Sequence, residues 1–150
     1  MGAFLALDQL LDARTVWRGG GVLAPVTAVH PTGHASLDAR LPQGGWPDSA
    51  LTEILLPVDG VGELALVFPT LARLSQAGQR VVLIAPPYRV HAPGWAHAGV
   101  VLSYLQVVQA DPRDALWAAE QCLRSAACAA VLCWPLKADD RALRRLQVAA

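Results

Sequence analysis

A chain of 150 residues is long enough for one domain with its own core, and no second core is expected. Twelve basic residues balance twelve acidic ones, so a strong, sequence-independent hold on nucleic-acid phosphates is not expected. Only 16% of residues are charged and 54% are hydrophobic, which leaves two readings open: apolar surface reserved for a partner, or an Ala- and Leu-rich chain with nothing to cover.

At the amino end, Phe4, Leu7, Leu10 and Leu11 stand at helical spacing and predict a short amphipathic helix over residues 3–13. The glycines at 19–21 and Pro25 predict a flexible connector over residues 18–31, so residues 1–30 are expected to form an arm and residues 31–150 the core. Asp8 and Asp12 come early and no basic start precedes an apolar stretch, so a secretory signal is not expected. The uncharged run 90–110 is broken by His91, Pro93, Gly94, His97 and Gly99 and does not read as a membrane span; the expected location is cytoplasmic.

From residue 51 the pattern alternates. Short apolar runs at residues 51–56 (LTEILL), 81–85 (VVLIA), 104–108 (YLQVV) and 130–134 (AVLCW) read as strands. Helical stretches are expected at residues 63–77, 92–98, 112–125 and 138–149. That alternation predicts an α/β fold, a mostly parallel sheet with helices on both faces. Asp111 before Pro112 reads as a helix N-cap, and Asp139 and Asp140 as carboxylates favoured at a helix start, with Arg144 and Arg145 toward its other end. Pro69 is a dissenting residue: it implies that the helix begins nearer Phe68 or is kinked there.

Between the first strand-like run and the first helix lies PVDGVGEL, where a phosphate-cradling loop G-x-x-x-x-G-K-[S/T] would sit. Pro57, Asp59, Gly60 and Gly62 stand in the loop, but Glu63 and Leu64 occupy the lysine and hydroxyl positions. A carboxylate in place of an ammonium about 4 Å from a phosphate turns an attraction of about 4 kcal/mol into a repulsion of similar size. No nucleotide cofactor is expected.

Upstream, Thr32, Gly33, Leu37, Asp38, Leu41, Gly44, Gly45, Trp46 and Pro47 follow, in order, the opening signature of RecA-type domains, which the segment resembles. In that register Pro87 stands where those ATPases have a catalytic glutamate and Trp134 where they have a magnesium-binding aspartate. The chain therefore resembles a RecA-like pseudo-ATPase without catalytic activity. Over nearly its whole length it is similar to the ImuA family, through VWRG at residues 16–19, PTG…LD…LP.GGWP at 31–47, the loop at 59–64, IAPP at 84–87, ALWAAEQCLRS at 115–125 and LRRLQVAA at 143–150.

The resemblance implies an adaptor of SOS-induced translesion synthesis. Its partners would be ImuB, an inactive Y-family polymerase homologue, with the error-prone polymerase ImuC and RecA as further candidates and only weak or indirect DNA contact. Head-to-tail self-association is also open. SulA, a division inhibitor that binds FtsZ, is a more distant relative and supplies the alternative. ImuA chains usually run on into a further strand and a polar tail, so the resemblance implies a chain shortened at its carboxyl end.

Further residues carry paired readings. Lys137, Arg141, Arg144 and Arg145 share one helical face, either solvated or a docking patch. Trp134 reads as a plug of the vacated site or as a partner hot spot, and Trp46, Trp95 and Tyr88 are assigned to the same candidate surface. Trp117 reads as core. Cys122, Cys128 and Cys133 lack C-x-x-C spacing and are expected to be reduced, buried thiols, and the histidines show no metal-ligand spacing.

Overall fold

The computed structural model describes residues 30–111 and 113–150. The expected helix at 3–13 and most of the connector at 18–31 lie outside the described residues. Its last two residues are held: His30 bridges Trp46 in antiparallel fashion, and the Pro31 carbonyl accepts from Thr70 Oγ1 at 3.0 Å and Arg73 Nη2 at 2.9 Å.

A short helix α1 (Ala35–Asp38) is followed by α2 (Leu64–Gln76), β1 (Val81–Ile84), α3 (Ala92–His97), a 3₁₀ turn (Leu102–Tyr104), β2 (Leu105–Val108), α4 (Ala115–Arg124), β3 (Ala130–Cys133) and α5 (Asp140–Ala149). The three strands are parallel in the order β2-β1-β3. This is the expected α/β class. Central β1 is buried on both faces, which is why VVLI reads as an unbroken apolar run. Val81 and Leu83 meet Leu71, Ala72 and Leu74 of α2 and Trp95 of α3, whereas Val82 and Ile84 meet Ala115 and Ala119 of α4 and Leu146 of α5.

Residues 51–56 correct the sequence reading: they form no strand. Leu51 packs on the α4/α5 side and its amide donates to Gln147 Oε1 at 3.2 Å, but Ile54 is 39% and Leu55 83% exposed. An apolar run becomes a strand only beside a ladder partner, and none lies against this one among the described residues. One cap also differs. Asp111 does not cap α4; it forms a turn, accepting from the Arg113 amide at 3.0 Å, and the cap position falls to Asp114 without a side-chain bond. Asp139 does cap α5, accepting from the Ala142 amide at 2.7 Å.

Pro69 lies inside α2, and the helix nevertheless starts at Leu64 rather than near Phe68. A proline at 69 leaves the Ala65 carbonyl without its i+4 donor. His34 supplies the missing bond, with Nε2 at 3.0 Å from that oxygen. The Thr32–Asp38 segment builds the support: the Thr32 amide donates to Asp38 Oδ1 at 2.9 Å and the His34 amide to Thr32 Oγ1 at 3.0 Å. The Thr32 amide, and then its hydroxyl, hold the Asp38 carboxyl below its ordinary pKa. Gly33, at φ +86°, faces Pro69 so closely that an added Cβ would lie 2.5 Å from the proline Cβ.

Replacing His34 by Ala is expected to lower unfolding stability by about 0.5–1.5 kcal/mol in urea titration, and by less in a Pro69→Ala background, where the helix recovers its own donor. Gly33→Ala is expected to cost more than either, since it combines left-handed backbone strain of about 1–2 kcal/mol with a steric overlap. Equal costs of His34→Ala in both backgrounds would refute the repair.

Candidate functional site

The loop of residues 57–63 hangs over the amino terminus of α2. Gly60 at φ +81° and Gly62 at φ +100° take left-handed conformations, the backbone geometry from which anion-binding loops are built. In a phosphate-binding loop the backbone amides receive the anion. Here Glu63 turns its carboxylate back onto the loop, and Oε1 accepts from the Gly60 amide at 3.2 Å. The amide of Glu63 itself, followed by those of Gly60, Gly62 and Val61, holds this carboxyl below its ordinary pKa against the opposing effect of burial. Oε2 is enclosed without a hydrogen-bond partner among the described residues. The loop thus carries its own anion.

Pro87 lies exposed in the turn after β1, and neither it nor Ala85, held at φ +49°, offers a carboxylate that could polarise a water. Trp134 follows β3, is tied by its amide to the Ile84 carbonyl at 3.1 Å, and packs half-buried against the cluster that also receives Leu64 and Phe68. Leu64 is likewise turned inward, so the position of the metal-binding hydroxyl is filled by an apolar side chain.

The aromatic residues assigned to one surface separate. Trp95 is 4% exposed and stacks edge-on to Phe68 with ring centroids 5.0 Å apart, so it is core. Trp46 is half-buried, and its Nε1 is enclosed without an acceptor among the described residues. Tyr88 alone of the four is open to solvent, at 65%, and its ring borders Gly60. Trp117, read as core, is 60% exposed on the outer side of α4. Val58 and Val61, in the loop whose Gly60 borders Tyr88, and Leu136, which follows β3, are also exposed.

The basic cluster divides too. Lys137, Arg141 and Arg144 are exposed, but Arg145 donates Nε to Glu120 Oε2 at 3.3 Å, and Arg124 Nη2 reaches Glu120 Oε1 at 2.9 Å. The three cysteines are free and half-buried rather than buried. Burial pushes the Cys133 thiol up to about 11 and raises Cys128 as well, which disfavours thiolate chemistry. Among the described residues no group of three or more metal-ligating side chains converges, and no helix is long and apolar enough to cross a membrane.

The chain matches no protein-family model. It is 31% identical over 126 residues to Protein RecA of Kineococcus radiotolerans, an alignment that covers 83% of this chain and 36% of the relative. The chain thus spans about a third of the length of that curated relative. Among solved structures it is similar to SulA from Pseudomonas aeruginosa, with 28% identity and a TM-score of 0.52 over 61% of this chain and 82% of that one. The two similarities support a RecA/SulA-like assignment for the fold and the chain.

Because the folded-state pKa of Glu63 is lowered, its contribution to loop order is complete above the ordinary glutamate value of about 4.3 and disappears as pH falls through the lower folded value. Amide resonances of Gly60, Val61 and Gly62 are expected to titrate together below pH of about 4.3, and Glu63→Gln is expected to abolish that titration. Independent titration of the three amides, or its persistence in the variant, would remove the internal anion.

Proposed function

We propose that this protein is a non-catalytic RecA-like adaptor of the SOS-induced translesion mutasome, docking the polymerase homologue ImuB. The observation that carries the reading is the Glu63 carboxylate seated where a phosphate loop would receive its phosphate. An ATP γ-phosphate would have to displace a tethered carboxylate and meet its charge, while Pro87 and Trp134 supply neither a base nor a metal ligand. The similarity to RecA over most of the chain and the motifs shared with ImuA supply the damage-response setting.

Function then rests on surface. In open parallel sheets ligands gather at the carboxyl ends of the strands, and here Tyr88 after β1 and Leu136 after β3 are exposed, with Val58 and Val61 on the loop that borders Tyr88 at Gly60. Apolar and aromatic side chains of this kind suit a protein interface better than a nucleotide. ImuB is assigned to this edge, with ImuC and RecA reached through it.

A SulA-type inhibitor of FtsZ assembly is the second reading, favoured by the likeness to the SulA structure. The two separate in one set of experiments. Adaptor function predicts co-elution with ImuB in size-exclusion chromatography, weakened about tenfold or more by Tyr88→Ala together with Leu136→Asp, no ATP turnover with or without single-stranded DNA, and no change in FtsZ sedimentation. Glu63→Lys with Leu64→Thr is expected to leave turnover absent. Less FtsZ in the pellet would transfer the assignment to the second reading, and ATP hydrolysis by the unmodified chain would remove both.

A further inference from the structure

Helices α4 and α5 pack against each other around a carboxylate that the sequence does not single out. Glu120 is 6% exposed, and its two oxygens are taken by Arg124, four residues on in α4, and by Arg145 from α5. A buried carboxylate is tolerated when such charge-assisted bonds complete it. The same bonds fix two guanidinium groups in space. They form, with Asp140, Arg141, Arg144 and Val148, the lining of an open groove between the helix ends.

Arg141, Arg144 and Val148 recur along the solvent side of α5 at helical spacing, and Val148 is 86% exposed. Neither Arg141 nor Arg144 makes an ion pair among the described residues. The groove therefore combines two uncommitted guanidinium forks with an aliphatic side chain and the methylene stems of its arginines.

Charge complementarity selects an acidic occupant, and the size of the charge selects its class. Four arginines against Glu120 and Asp140 leave a surplus of two, on a chain whose formal net charge is zero. A nucleic acid held by about two phosphates releases few counterions and stays weakly bound at physiological salt. A polypeptide uses more of what is present: carboxylates pair with the guanidinium forks, and an aliphatic residue covers Val148. We infer that the α4/α5 groove docks an acidic segment of a partner protein that bears an aliphatic anchor. The inference rests on the adaptor reading and adds a second contact, on α4 and α5 rather than on the strand-end edge.

The test uses the full chain and a fluorescein-labelled peptide of Glu, Asp and Leu, with fluorescence anisotropy as the readout. Saturable binding is expected, reduced tenfold or more by Arg141→Glu with Arg144→Glu, reduced by Val148→Asp, and unchanged by Arg40→Glu in the turn after α1. Both charge reversals are on exposed residues, they leave the Glu120 pairs intact, and a carboxylate at 141 suits the first turn of α5. Circular dichroism checks that the variants remain folded. Equal binding by the wild-type and reversed proteins, no saturable binding of the peptide, or tighter binding of a labelled single-stranded oligonucleotide would each overturn the groove. Because ImuB co-elution is scored separately with Tyr88 and Leu136 variants, failure here is distinguishable from failure of the adaptor reading.

Discussion

The loop geometry depends on α2 starting at Leu64 although it contains Pro69. If the helix yielded to the proline and began later, the residues after Gly62 would be loose chain and the amides around Glu63 would have no common direction. The helix is kept whole from outside. His34 replaces the lost donor at the Ala65 carbonyl, Gly33 leaves room for the ring, and Thr70 and Arg73 both hold the Pro31 carbonyl. The PTGHASLD segment is thus architectural in this chain: its threonine, glycine and aspartate form a brace for a helix with a proline inside.

The braced helix determines the electrostatics of its loop. A lysine at position 63 would project a positive charge toward a bound phosphate, whereas the glutamate folds back and supplies the negative charge itself. An anion already tethered to the chain loses no translational freedom on binding, so an external anion competes at a disadvantage as well as facing repulsion. The charge reversal read from the sequence therefore understates the change, because the carboxylate occupies the amide cluster as well as opposing a ligand.

The sheet was legible in the sequence because a parallel strand buried on both faces leaves an uninterrupted apolar run, as VVLI does. The same rule misreads residues 51–56, whose composition matches a strand but whose backbone has no ladder beside it among the described residues. Composition records what a segment can bury and not what lies next to it. The tryptophans divide for that reason: Trp95 and Trp117 are both on helices, yet one meets Phe68 and the other solvent. Glu120 was hidden because one of its partners lies on another helix, beyond the reach of i, i+4 spacing. The role of His34 had one available signal, since a proline within a helix predicts an orphan carbonyl that some donor must meet.

On the adaptor reading, a loop that keeps its shape without a nucleotide holds its surroundings in position for another use. The amide cluster and Trp134 hold the loop and the end of β3 in place without a ligand, so Tyr88 and Leu136 are displayed from a rigid edge. Rigidity lowers the ordering cost of association. The Glu120 pairs act in the same way on α4 and α5, immobilising two of the arginines that line the groove. In both places a carboxylate turned inward fixes the groups around it, and the residues left facing outward are the ones available for recognition.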